Sequence, residues 1–140
     1  MTAAAPIAHL GRRYHFVASH RLHCDAYDDA RNREVYGKCN NPHGHGHNYV
    51  VEVMVSGPVD ATTGMVCDLA LLDGFASENM LAIFDHMNLN TLPNFANRVP
   101  TTENLCIEIY RIFKEGFQAA KVERVRAEET GKNSFEYADE

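Results

Sequence analysis

Residues 48–56, Asn-Tyr-Val-Val-Glu-Val-Met-Val-Ser, constrain the fold of this chain more than any other stretch. They are rich in β-branched residues and stop at Gly57-Pro58, as a strand does. Alternation sets Tyr49, Val51, Val53 and Val55 on one face, while Val50 and Met54 accompany Glu52 on the other. A sheet wetted on one side alternates cleanly between apolar and polar, so a strand apolar on both sides calls for cover on both. The chain has 140 residues, enough for about one domain with one core. Only two segments read as long helices, which suffices for one face. The other face is therefore expected to meet a partner subunit.

The remaining elements follow from the same periodicities. Residues 12–20 alternate as a strand with Tyr14, Phe16, Ala18 and His20 on one face. Residues 25–33 are polar and charged and read as a loop with at most a helical turn. One helix is expected over 69–84 behind Asp68 as N-cap. A second is expected over 102–117, with Leu105, Ile109, Ile112 and Phe113 in one stripe and Thr101 or Thr102 as its cap. Strands over 122–127 and 135–137 flank a Gly131-Lys132-Asn133 turn. The sum is a single α+β domain over 12–137, an antiparallel sheet with helices on one side. It lies between a loose N-terminal segment (1–11) and a short acidic tail (138–140).

Thirteen Lys and Arg against nineteen Asp and Glu give a net charge of −6, which argues against general nucleic-acid binding. No apolar run is long enough to span a membrane, and residues 1–11 lack the basic region and continuous apolar core of a targeting signal. Cys24, Cys39, Cys67 and Cys106 form no CxxC pair, so free thiols and a cytoplasmic location are expected.

Three of the eight histidines fall within five positions of the run Gly37-Lys38-Cys39-Asn40-Asn41-Pro42-His43-Gly44-His45-Gly46-His47-Asn48-Tyr49. If strand geometry reaches back that far, His45 and His47 share a face. His20, closing the first strand, is the candidate third ligand. A catalytic zinc takes three protein ligands and keeps a fourth position open. Gly44 and Gly46 would let the backbone approach closely without Cβ crowding. The plainer reading is a flexible His/Gly loop that meets metals only by accident. His43, after Pro42, lies outside the strand, and His9, His15 and His23 read as surface or packing residues.

Cys39 precedes the two clustered ligands by six and eight residues and so reaches the same cavity. It could act as base or nucleophile if a cationic or hydrogen-bonding setting activates it, or as a further metal ligand that closes the site. Cys67 and Cys106 sit in apolar patterns and read as packing. Asp85-His86 follows the first long helix, ahead of a loop with Pro93. A carboxylate beside a histidine can fix its tautomer and raise its basicity. A capped helix end is the plainer account of that pair. Glu103 and Glu129 read as a helix N-terminal charge and a surface strand residue.

Together, Ala18-Ser19-His20-Arg21-Leu22, the run from Gly37 to Tyr49, Thr63-Gly64-Met65-Val66, Asp85-His86 with Asn88-Leu89, Thr101-Thr102-Glu103-Asn104 and Glu129-Thr130 resemble the 6-pyruvoyl-tetrahydropterin synthase family. They occur in the family's order and extend over 12–137. The resemblance implies the tunnelling fold, or T-fold, a four-stranded antiparallel sheet with two helices on one face. Three subunits would close their sheets into a barrel, and two trimers would stack into a hexamer with active sites at subunit interfaces. It also implies a zinc-dependent lyase of tetrahydrobiopterin synthesis. This enzyme converts 7,8-dihydroneopterin triphosphate to 6-pyruvoyl-tetrahydropterin, eliminating triphosphate and needing no external redox cofactor.

Carried over residue by residue, the resemblance makes His20, His45 and His47 the zinc ligands and Cys39 the general base. Asp85 and His86 become the pair that assists proton transfer. Glu129 becomes the carboxylate that anchors the pterin's guanidine-like edge through two parallel N–H bonds. Thr102 and Glu103 fall in the other pterin-contacting segment, and Arg21 or Lys38 would meet the triphosphate. His43 matches no metal ligand of the family. The Gly131-Lys132 turn departs from the animal enzymes, which bears on the pterin pocket and not on the zinc site. Two alternatives stand beside this reading. One is 6-carboxy-tetrahydropterin synthase, which expels acetaldehyde as well as triphosphate. The other is a non-catalytic zinc-binding module, which has no need of Cys39, Asp85, His86 and Glu129 together.

Overall fold

The computed structural model describes residues 4–139. Strands β1 (Ile7–His20) and β2 (His45–Pro58) form a long antiparallel pair in which Ile7 faces Pro58 and His20 faces His45. A two-residue strand, β3 (Met87–Asn88), lies parallel to β1 at Ala18 and Ser19. Strand β4 (Lys121–Glu128) adds to β2, and β5 (Ser134–Tyr137) adds to β4, both antiparallel. The order is β3-β1-β2-β4-β5, so the expected four antiparallel strands are present with β3 as a short parallel addition. Strand β1 begins at Ile7, which places residues 7–11 in the sheet instead of the expected loose segment. Residues 7–11 show no clean alternation, yet their backbone pairs without a break with Pro58, Gly57, Ser56, Val55 and Met54. Residues 1–3 of that segment and residue 140 of the tail lie outside the described residues.

Helix α1 (Asp29–Tyr36) occupies the stretch that sequence reads as a loop. The Asp28 carboxylate caps it by accepting the Arg31 N–H at 2.7 Å. Only Asn32 of this helix is buried, so no apolar stripe announces it. Helix α2 (Leu69–Ala76), capped by Asp68, runs on through a π turn (Ser77–Leu81) into α3 (Ala82–Phe84). Helix α4 (Thr102–Gly116) is capped by Thr101, whose hydroxyl accepts the Asn104 N–H.

These last helices cover one face of the sheet. Tyr49, Val51, Val53 and Val55 are fully buried there against Leu72, Met80, Phe84, Leu105, Ile109 and Phe113. The opposite face is bare in the single chain. Val17 is 43% exposed, and Val50, Glu52 and Met54 are only half-buried.

Helix α4 also buries a charge. Glu108 is 2% exposed and accepts hydrogen bonds from Asn94, Arg98 and Arg111. Burial pushes its carboxyl up, but the bonds from Arg111, Asn94 and Arg98 outweigh burial and hold it below the usual range. On acidification the unfolded chain therefore binds the proton first. The stabilisation is complete above the ordinary value of 4.5 and is lost as pH falls through the lower folded value. In urea unfolding, Glu108→Gln should cost about 2 kcal/mol at neutral pH. The gap to wild type should narrow as pH falls below 4.5 and close once the folded-state carboxyl is protonated.

Candidate functional site

The far end of the β1–β2 pair builds the site. His20 lies opposite His45 and Ala18 opposite His47, so the three histidines share the helix-covered face. His20 is fully buried, with Nδ1 2.8 Å from the Pro100 carbonyl oxygen. A carbonyl can only accept, so the proton sits on Nδ1 and Nε2 keeps its lone pair. That Nε2 lies 3.1 Å from His47 Nε2 and 3.7 Å from Glu129 Oε1. Glu129 Oε1 is in turn 3.2 Å from His47 Nε2. Cys39 completes the group: one ligating atom each from His20, Cys39, His47 and Glu129 lies within 4.8 Å of the others.

Local structure explains how Cys39 arrives there. It sits on a 3₁₀ turn (Gly37–Asn40) held over the end of β1, where the Leu22 N–H donates to the Cys39 carbonyl and the Asn40 amide donates to the Leu22 carbonyl, both at 2.7 Å. Gly44 turns the chain back into β2 at φ +82, and a Cβ there would come within 3.2 Å of the His20 carbonyl oxygen. Gly46 has no such need, since its nearest neighbour would stand 4.0 Å away.

Burial, partly opposed by the Pro100 bond and Glu129, lowers the His20 pKa; burial likewise lowers that of His47. Both are thus neutral imidazoles, the form that binds metals. Burial and then the Glu129 carboxylate push the Cys39 thiol up. Lone-pair atoms this close with few protons between them repel, and a cation among them reverses the sign. Two imidazoles, a sulfur and a carboxylate are donors that zinc accepts. The cluster can hold a metal ion.

The other expected residues divide. His45 is exposed and stands outside the four-atom group, its ring edge-on to His47 with centroids 4.8 Å apart. Asp85 and His86 do not join the cluster within the chain. The Asp85 carboxylate accepts the Val17 N–H at 3.0 Å and lies 3.1 Å from His86 Nδ1. The His86 N–H donates to the Val17 carbonyl at 2.6 Å, holding His86 at φ 62. The pair thus sits on the outer edge of β1, with the His86 side chain 79% exposed, beside a recess of about 500 Å³ shared with His15, Val17 and Asn48. The Val17 bond holds the Asp85 carboxyl below its usual range. Thr102 is buried and its hydroxyl has no hydrogen-bond partner among the described residues, whereas Glu103 is exposed in the first turn of α4. Cys106 is buried packing as expected, its thiol pushed up to about 12 by burial, and Cys67 packs half-buried against the core.

Glu129, named through the family resemblance as a substrate carboxylate, lies beside the histidines after the β4–β5 turn is made. Sequence reasoning missed two contributors. The Pro100 carbonyl has no side-chain signature. The Tyr49 hydroxyl, 3.4 Å from His20 Nδ1, reads only as an apolar strand residue.

The family model described as 6-pyruvoyl tetrahydropterin synthase matches residues 9–140. The chain belongs to the 6-pyruvoyl tetrahydropterin synthase family. The 6-pyruvoyl tetrahydrobiopterin synthase of Poecilia reticulata is 44% identical, over 98% of this chain and 94% of its own. The human protein of that name is 41% identical over 95% and 92%. The structure of the Caenorhabditis elegans 6-pyruvoyl tetrahydropterin synthase superposes with a TM-score of 0.92 at 41% identity, covering 99% of this chain and all of that one. The α+β T-fold expected from the sequence is thus the fold of this family. A Wolinella succinogenes protein, WS1659, shares the fold at 20% identity and a TM-score of 0.73. Among the described residues no helix is long and apolar enough to cross a membrane.

Proposed function

We propose that this chain is a zinc-dependent 6-pyruvoyl-tetrahydropterin synthase of the cytoplasm. It takes 7,8-dihydroneopterin triphosphate to 6-pyruvoyl-tetrahydropterin with loss of triphosphate. The observation that carries the reading is the convergence of His20, His47, Cys39 and Glu129 within 4.8 Å in a member of this family. When bound, zinc would supply Lewis acidity toward the hydroxyl oxygens of the substrate side chain. His20, His45 and His47 would hold it, with His45 next to His47 at a ring-centroid distance of 4.8 Å.

The chain's own groups account for the rest. Glu129 offers two oxygens to the parallel N–H groups of the pterin edge. The Cys39 sulfur takes a proton from a side-chain carbon, and the Asp85–His86 pair relays protons. The hydroxyl-bearing carbons are oxidised as the ring is reduced, so electrons stay within the substrate. Arg21, Arg33 and Lys38 line a recess of about 350 Å³ beside His45, and none of them pairs with a carboxylate among the described residues. Their charge is free for the triphosphate.

Asp85 and His86 face outward from the β1 edge, so they would serve the Cys39 of a neighbouring subunit. The bare face with Val17, Val50 and Met54, and the free edge of β5, support a trimer closing its sheets into a barrel, with two trimers stacked as a hexamer. The pyruvoyl product is favoured over the carboxy product because relatives matching nearly the whole chain are named 6-pyruvoyl tetrahydrobiopterin synthases.

Incubating zinc-loaded protein with dihydroneopterin triphosphate should yield a pterin with a three-carbon keto side chain by mass spectrometry. A carboxylate alone would reassign the chain as 6-carboxy-tetrahydropterin synthase. No turnover with zinc bound would leave the non-catalytic module.

A further inference from the structure

His20 is the most deeply set of the converging groups, and its orientation depends on a backbone atom 80 residues away, the Pro100 carbonyl. The proline ring restrains φ at Pro100 but offers no polar group to hold the loop in place. The loop before α4 is instead fastened from outside. The Asn104 amide donates to the Val99 carbonyl at 2.8 Å. Glu108, one turn further along α4, accepts from the Asn94 amide at 3.1 Å and from Arg98, while Arg98 also donates to the Asn94 carbonyl at 3.1 Å. Glu108 is thus a buried carboxylate that grips the loop at Asn94 and Arg98, and its third partner, Arg111, lies on α4 itself and among the described residues hydrogen-bonds only Glu108 and Glu115.

We propose that Glu108 is a positioning residue for the metal centre. By holding Asn94 and Arg98, it fixes the loop whose Pro100 carbonyl keeps His20 as the Nδ1–H tautomer with Nε2 facing His47 and Glu129. Groups that orient a ligating histidine through its second nitrogen typically change metal affinity by about 10–100-fold. Glu108 works one step further out, so the lower end of that range applies. The assignment deepens the zinc reading above and rests on it.

The test is zinc affinity of the full chain, measured by competition with a chromophoric chelator, with thermal stability measured alongside. Glu108→Gln should weaken zinc binding by about tenfold. Asn94→Ala, which cuts one of the two holds and keeps the Arg98–Glu108 pair, should weaken it in the same direction by a smaller factor if Glu108→Gln does not fold. Arg111→Gln removes a partner of Glu108 without releasing the loop, so it should lower stability and leave zinc affinity within about twofold of wild type. Two-bond ¹H–¹⁵N spectra of the metal-free protein should show His20 as Nδ1–H in wild type and in Arg111→Gln, with a mixed population in Asn94→Ala. Wild-type zinc affinity in Glu108→Gln and Asn94→Ala would overturn the proposal, as would an equal loss in Arg111→Gln. A wild-type chain that fails to bind zinc would instead overturn the metal reading, and this assignment with it.

Discussion

Cys39→Ala should lower kcat by about 10²–10⁴-fold, the loss typical of a removed general acid or base. Zinc content and KM should stay within a few fold of wild type. Cys39 is partly buried, and burial with the Glu129 carboxylate holds its proton on in the metal-free chain. A neighbouring cation reverses that balance and favours thiolate. Alkylation of Cys39 should therefore speed up on zinc loading if the sulfur is a free base, and slow down if it is a fourth ligand. Zinc stoichiometry in the alanine variant separates the same two cases. Full activity with zinc in place would remove Cys39 from the chemistry, and loss of the metal would make it a ligand.

His47→Ala should weaken zinc binding by more than the ~10–100-fold typical of outer partners, because the proposed site makes it a direct ligand, and activity should fall with it. The signature is in stability. Wild-type protein held at a thousandfold excess of zinc over Kd gains about 4 kcal/mol by mass action, and a loss of affinity beyond 100-fold should cut this gain below about 1.4 kcal/mol in the variant. The metal-free forms should melt close together. His47 packs edge-on against His20 and His45, with centroids 4.9 and 4.8 Å away, and in the metal-free chain its Nε2, 3.1 Å from His20 Nε2 and 3.2 Å from Glu129 Oε1, can donate only one hydrogen bond, which with this packing is all the variant loses. Thermal melts with zinc and with chelator measure both quantities. A variant that kept its zinc-dependent rise would strike His47 from the ligand set.

Much of this was legible in one dimension because the signals are local. The alternation around Val51 and Val53 locates β2 and its buried face, and Asp68 and Thr101 mark the starts of two helices through caps that act within three residues. Helix α1 escaped because it buries only Asn32 and so carries no apolar period. Strand β1 reaches back to Ile7, beyond the alternation over 12–20, because the backbone of residues 7–11 pairs with β2 although their side chains carry no regular pattern. In the site, His20 and His47 share a face through strand parity, whereas the exposure of His45 reflects its place as the first residue of β2.

Sequence by itself determined which groups can carry chemistry and which face each strand residue takes, since side-chain parity and capping are set by neighbours a few positions away. Tertiary structure alone decided what those groups meet. The β4–β5 turn brings Glu129 to within 3.2 Å of His47, the Pro100 carbonyl selects the tautomer of His20, and the edge of β1 carries Asp85 and His86 away from Cys39. Each of these depends on where distant segments come to rest, and hydrogen-bonding distance between residues 80 positions apart is fixed only once the core between them has packed.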